Sequence, residues 1–441
     1  MKTADLVTVG EDAVSLATQL GASEVTARLS QSVVAEVGTR GGRVEKVQES
    51  RSLSLRVSLL VDDRYSTHAT SDLRAEALGR FLREAVEGTR ALEPDPDRRL
   101  LPVEEMGAAD AEGLDIVDEH TALDTPARRA RCLALEGAVA DARGDTPIRS
   151  VGAGVWDVSA ATALVCSNGF RGRYSGTQHG ISLDLSLADE DGRVPEAHAA
   201  WSARHFEDLP DAARAAAEAV AQGRLRLGSR PARSGRYPML VRNSRVGRLL
   251  SYFIASLTGQ ALHEGRSCFA SDLGQRLSPN GFTLIDDPLV RRGLSSHPYD
   301  GDGMAARPLP IFEDGVLRNF LVDVCYGRRL GVAPTTGHPS NLVVPAGDLG
   351  PAALLAALPQ AMVVEGFLGG NANPASGNFS LGVSGTLYEQ GEPVQNFSEM
   401  NISGSMTELL ERWVASGSDV WTYGSTRAGS QLFDAVQFSG S

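Results

Sequence analysis

Between Ser52 and Leu59 the chain alternates strictly: Leu53, Leu55, Val57 and Leu59 are apolar, while Ser52, Ser54, Arg56 and Ser58 are polar. A period of two is what a strand with one buried face requires. Similar runs over residues 24–37 and 44–49, broken by Gly41-Gly42, predict an antiparallel meander. A short helix over 11–20 precedes it, and the spacing over 74–90 predicts an amphipathic helix after it. The stretch from Leu92 to Asp97 is proline-rich and acidic and reads as a linker.

Beyond that linker the pattern predicts a helix over 126–142, strand-like runs over 151–158, 162–167 and 181–187, and an alanine-rich helix over 208–222. Gly228-Ser229-Arg230-Pro231 reads as a second boundary. The rest is rich in Gly-Asn, Gly-Ser and Asp-Gly turns between short apolar runs, the mark of a large β-rich domain carrying a few helices. The expected fold is α+β, in three parts: 1–92 and 93–228 as α+β modules, and 229–441 as a β-rich C-terminal domain. No internal repeat is evident.

Composition narrows the function classes. At 441 residues the chain exceeds the ~250–300 residues at which a single core stops growing, so several domains fit its length. A net charge of −13 argues against nucleic acid or anionic membranes as partners, since either needs a concentrated basic face. No export signal and no membrane-spanning stretch is legible, the N-terminus being interrupted by Asp5, Glu11 and Asp12. Cys132, Cys166, Cys268 and Cys325 are scattered without a CxxC pair, which fits reduced thiols and a cytoplasmic location.

The candidate chemistry lies in His263-Glu264-Gly265-Arg266-Ser267-Cys268. It begins like the HExxH or HExxxH helix of a zinc hydrolase, in which two imidazoles hold the metal and the glutamate activates water. Upstream, Val246, Leu249, Leu250, Phe253, Ile254, Leu257 and Ala261 recur at helical spacing, so a core-facing helix runs toward the motif. If that helix continues, Glu264 and Cys268 share its apolar face and His263 lies roughly 140° from Cys268. A ligand pair would then need a π-type bulge. Gly265 could loosen the turn or end the helix. The competing reading is a small buried thiol at Cys268 and a metal-free cleft at His263 and Glu264. His297 and His338, each beside a proline, read as turn residues rather than ligands.

Other motifs carry less. Tyr299-Asp300-Gly301-Asp302-Gly303 lacks the third acidic position and distal glutamate of a calcium loop. Gly366, Gly369 and Gly370 lack the Lys-Ser/Thr ending of a phosphate loop, and no GxSxG elbow is present.

Four stretches stand out: Asp272-Leu273-Gly274-Gln275, residues 293–300 (GLSSHPYD), residues 377–392 (GNFSLGVSGTLYEQGE) and Ile402-Ser403-Gly404-Ser405-Met406. In order and spacing they resemble the TldD/PmbA family, two-subunit bacterial metallopeptidases, and its PmbA/TldE-like branch in particular. Ser167-Asn168-Gly169-Phe170, and Arg56 followed by Ser71-Asp72, extend the resemblance upstream, over nearly the whole chain. In that family the TldD subunit carries HExxxH and a later cysteine ligand, whereas the PmbA/TldE subunit generally lacks the set. This chain departs from TldD twice: Cys268 stands where the second histidine would fall, and residues 423–429 hold no cysteine.

The resemblance therefore implies a PmbA/TldE-like subunit of a metallopeptidase assembly acting on unfolded or leader-bearing peptides. Its partner is expected to be a TldD-like subunit holding zinc, or a second copy of this chain. No metal is expected in this chain and its catalytic residues are not assigned. Two alternatives stay open. One is an autonomous metallopeptidase with His263 and Cys268 as ligands and Glu264 as base; the other is a homodimeric, non-catalytic peptide-binding protein. In each case the resemblance implies an extended peptide added as a strand to an exposed sheet edge.

Overall fold

The computed structural model describes residues 3–108, 110–121, 123–190 and 192–440. In its N-terminal half, α1 (Thr3–Gln19) precedes β1 (Glu24–Arg40), β2 (Arg43–Val61), β3 (Arg64–Thr70) and α2 (Ala75–Thr89). Then come α3 (Thr125–Ala142), β4 (Ile148–Cys166), β5 (Arg171–Leu187), β6 (Glu196–Ala203) and α4 (Ala212–Arg224). The six strands form one antiparallel sheet in the order β3-β2-β1-β4-β5-β6. Because β1 pairs with β4, strands from both sides of residue 92 share that sheet.

The sheet is long enough to serve two cores. Near one end Val25, Ala27, Leu29, Leu55 and Val57 pack with Leu6 of α1 and Leu82 of α2. Near the other, Val37, Val155, Leu183 and Trp201 pack with Leu135 of α3 and Val220 of α4. The runs expected at 44–49 and 53–59 are one strand, β2, and those at 151–158 and 162–167 are one strand, β4. The small residues Ser159, Ala160 and Ala161 blur the hydrophobic contrast midway, yet the backbone ladder passes through them without a shift. The alternating pattern does not mark β3 or β6, which border the sheet.

The C-terminal half starts with β7 (Gly235–Val241), α5 (Asn243–Ser256), α6 (Gly259–His263) and the short strands β8 (Leu284–Asp286), β9 (Leu309–Glu313) and β10 (Val316–Leu317). It continues with α7 (Val324–Leu330), β11 (Leu342–Val343), α8 (Pro351–Ala356), β12 (Gln360–Ala372) and β13 (Asn378–Glu389). Last come β14 (Glu392–Ser405), α9 (Met406–Glu411), β15 (Trp413–Ser416), β16 (Thr426–Arg427) and β17 (Gln431–Gly440).

Strands run β14-β13-β12-β7-β17-β15, and an added β14–β17 pairing closes the first five into a barrel. A second sheet, β10-β9-β8-β11-β16, lies beside it. One core joins them through Met239, Phe253, Phe269, Phe312, Phe397 and Phe438. The fold is α+β, with helices beside mostly antiparallel sheets, as its pattern predicts. No helix among the described residues is long and apolar enough to cross a membrane.

The halves meet where the loop at Tyr299 enters the N-terminal sheet. Its ring lies edge-on to Phe170 and Tyr174, at 5.6 and 5.4 Å between centroids. Arg28 Nη2 donates to the carbonyl of Gly301 at 2.7 Å.

Candidate functional site

The helix carrying the apolar repeat ends before the motif. Val246, Leu249, Leu250, Phe253 and Ile254 of α5 are buried as their spacing predicts. At Leu257 the chain leaves the helix, and Thr258 starts a second one by accepting the Ala261 N–H at 3.1 Å. That helix, α6, runs only to His263. Gly265 takes φ +63°, its N–H donates to Leu262 O at 3.1 Å, and the Arg266 N–H donates to Ala261 O at 2.7 Å. This pair of bonds is the glycine-terminated helix end described for Schellman motifs. Of the two roles left open for Gly265, ending the helix is the one observed, and no π bulge brings His263 and Cys268 to one face.

Each polar group of the stretch meets different surroundings. His263 is exposed, its ring 5.8 Å from that of Tyr326 on α7. Glu264 accepts Gln260 Nε2 at 3.0 Å and is ion-paired to Arg266. Cys268 is half-buried and donates its N–H to Pro374 O at 2.8 Å. Its thiol faces Gly377, where a Cβ would stand 3.1 Å from Sγ. Burial pushes that thiol up, opposed in part by a hydrogen bond with Ser256. His297, half-buried with Nδ1 2.9 Å from Ser295 O, is pushed down by burial; His338 is exposed.

A catalytic zinc site needs three convergent protein ligands and an open position. Among the described residues no group of three His, Cys, Asp or Glu side chains gathers on one point. The donors at 263–268 do not fit such an ion in this geometry.

Beside this stretch lies a feature that motif reading passes over. β12 pairs with β7 only over Met362–Val364, while its pairing with β13 runs on to Ala372. Among the described residues no strand occupies the other edge of β12 beyond Val364. Leu368 there is 54% exposed, and Gly369 and Gly370 take φ +133° and +123°. Glycine within a strand often marks a close approach of a second backbone, and at Gly370 that backbone is β13, since a Cβ there would collide with Ser380 O. The turn after β12 is tied to the motif, since Pro374 O accepts both the Cys268 N–H and, at 3.1 Å, Ser256 Oγ. The glycines that fail as a phosphate loop thus lie on an open edge that ends beside Cys268.

Comparison with known proteins gives a consistent result. Residues 234–440 match the model of the PmbA/TldA metallopeptidase C-terminal domain. The metalloprotease PmbA of Escherichia coli O157:H7 is 25% identical over 437 residues, covering 98% of this chain and 96% of that protein. A crystal structure from Bacteroides thetaiotaomicron superposes with a TM-score of 0.93 at 29% identity, covering 98% of each chain. TldE from Thermococcus kodakarensis shares the fold with a TM-score of 0.82 at 18% identity, over 98% of this chain and all of that one (100%).

Proposed function

This chain belongs to the PmbA/TldD family of metallopeptidase-like proteins, and from that premise we propose that it is the PmbA/TldE-like subunit of a two-subunit assembly, acting with a TldD-like partner on unfolded or leader-bearing peptides. The end of α6 carries this reading. Gly265 turns the chain out of the helix one residue after Glu264, so imidazole, carboxylate and thiol face separate surroundings. Hydrolysis is then the partner's task, and this chain contributes binding surface.

The open edge of β12 supports the peptide part of the proposal. Unpaired N–H and C=O groups along residues 366–372 offer an extended chain a ladder of backbone hydrogen bonds. Such binding reads little sequence, as a substrate class of varied unfolded peptides requires. Three folding units at 1–92, 93–228 and 229–441 belong to the same proposal; a core drawn wholly from residues 232–438 supports the second boundary, while β1 and β4 share one sheet across the first. A cytoplasmic location is supported by four unpaired cysteines.

Metal analysis and peptide cleavage, performed on the chain alone and on its complex with a TldD-like subunit, test the proposal. The lone chain is expected to bind no stoichiometric zinc and to cleave nothing. Cleavage is expected in the complex and is expected to survive His263→Ala in this chain. One zinc per lone chain, with cleavage abolished by His263→Ala, would overturn it in favour of an autonomous peptidase. Peptide binding without cleavage in any complex would favour the homodimeric binding protein.

A further inference from the structure

Two arginines stand directly opposite one another in the N-terminal sheet. Arg28 of β1 is the register partner of Arg56 of β2, so both side chains leave the same face with Cβ atoms about 5 Å apart. Like charges at that spacing repel and destabilise the pairing. Arg28 spends one nitrogen on the carbonyl of Gly301. The side chain of Arg56, an exposed residue, makes no hydrogen bond or ion pair with any described residue. Two further guanidinium groups, Arg98 and Arg99, line the same cavity of about 160 Å³, and Arg99 is ion-paired with Asp63 and Glu24. The Nε of Arg98 is buried without a hydrogen-bond partner and lies 3.6 Å from Asp95 in a loose ion pair, while its guanidinium carbon lies 5.1 Å from the centre of the Tyr65 ring.

Three carboxylates border the cavity, and each is engaged elsewhere. Asp302 accepts the Val324 N–H at 3.0 Å, Asp323 accepts the Tyr326 N–H at 2.7 Å, and Asp97 lies 3.5 Å from Arg329. Burial pushes the Asp302 carboxyl up, and Arg28 and Arg98 across the cavity pull it back down. The net result is a small cavity whose unspent guanidinium donors are those of Arg56 and the remaining nitrogens of Arg28.

We propose that this cavity is a binding site for an oxyanion, the planar carboxylate or tetrahedral phosphate whose oxygens match guanidinium forks. An anion seated there offsets the Arg28–Arg56 repulsion and satisfies Arg98 Nε. Its source is either the C-terminal carboxylate of a bound peptide or a free phosphate ion. The peptide source rests on the function proposed above; the site itself does not. The cavity joins β1 and β2, the segment from Asp97 to Leu101, and the start of α7, so its occupant ties the two halves together. On the same helix α7, Tyr326 packs against His263.

Calorimetric titration of the full chain with inorganic phosphate, at constant ionic strength set with chloride, tests the site. Saturable binding is expected, weakened on the order of tenfold or more by Arg56→Gln and also by Arg56→Lys, which keeps the charge and loses the fork. Arg40→Gln, an exposed arginine outside the cavity, is expected to leave it unchanged. In anion-free buffer Arg56→Gln is expected to raise the melting temperature, a readout independent of binding. A pentaalanine with a free carboxylate that displaces phosphate, where its C-terminal amide does not, identifies the peptide source. Phosphate binding without that displacement keeps the oxyanion site and rejects the peptide source. No binding above the chloride control, or equal binding by both Arg56 variants and the native chain, overturns the proposal. The cleavage assay of the complex is separate, so either reading can fail without the other.

Discussion

His263 to Cys268 and the arginine cavity are built in opposite ways. The first gathers an imidazole, a carboxylate and a thiol within six consecutive residues and disperses them, because a helix end swings successive side chains by about 100° each. The second draws on positions as distant as Thr26 and Cys325 and brings their side chains to one cavity. Strand register does that work: opposite residues of an antiparallel pair leave the same face however far apart they stand in sequence. In this molecule closeness along the chain yields local contacts such as Glu264 with Arg266, whereas convergence comes from pairing.

The contrast breaks most readily at Phe269. If residues 263–268 are held by packing of the adjoining chain rather than by a bound ion, their anchor is this ring. It is fully buried, stacked on Phe253 at 6.3 Å and edge-on to Phe312 at 6.2 Å. Phe269→Ala is expected to cost about 3–5 kcal/mol in urea unfolding, the usual range for an aromatic ring removed from a core. A loss below about 1 kcal/mol would mean that the stretch is positioned by something else.

The cavity region carries the next largest effect, one that depends on pH. Burial pushes the Asp300 carboxyl up to about 6, and the neighbouring Asp302 adds to the shift. Between the unfolded value near 3.9 and the folded value, the native state holds the proton more tightly, so stability falls as pH rises through that window. The contribution is fully present below the unfolded value and gone above the folded one. Its size is on the order of 1–2 kcal/mol after discounting for partial solvation. Asp300→Asn keeps an oxygen for the Asp302 and Met304 N–H groups, at 2.9 and 3.0 Å, and is expected to flatten the fall between pH 4 and 6. Asp286, buried and pushed up to about 6, and Asp302, also pushed up by burial, contribute to the slope that remains. An unchanged slope in Asp300→Asn would show that this loop is solvated.

The two regions also differ in how far the sequence discloses them. The turn at Gly41-Gly42 and the helices over 74–90 and 126–142 are legible because periodicity and punctuation are local, and α2, α3 and the β1–β2 hairpin match them closely. The break at Leu257 escapes notice because the apolar repeat runs on through Leu257 to Ala261, while Thr258, a sound N-cap, interrupts the helix without interrupting the repeat. Arg56 reads in sequence as one polar member of an alternating strand and as part of the family resemblance, neither of which gives it a partner. Its significance depends on meeting Arg28, and register is not written in either strand alone. The open edge of β12 is hidden for a similar reason, since an edge is defined by the strand that is absent.

The smallest expected effect separates Gly265 from the residues around it. A Cβ at Gly265 would meet no atom within 4 Å, so a substitution there tests backbone conformation alone. At φ +63° alanine incurs the left-handed penalty, and Gly265→Ala is expected to cost about 1 kcal/mol, with Gly265→Asn costing less. His263→Ala, on an exposed side chain two residues earlier, is expected to stay within about 0.5 kcal/mol of the native chain. Urea midpoints of the three variants measure the difference. If His263→Ala proved the more costly, the imidazole would be holding the stretch together. The helix end would then be a consequence of that contact, and the distinction between a dispersed motif and a converged cavity would fail.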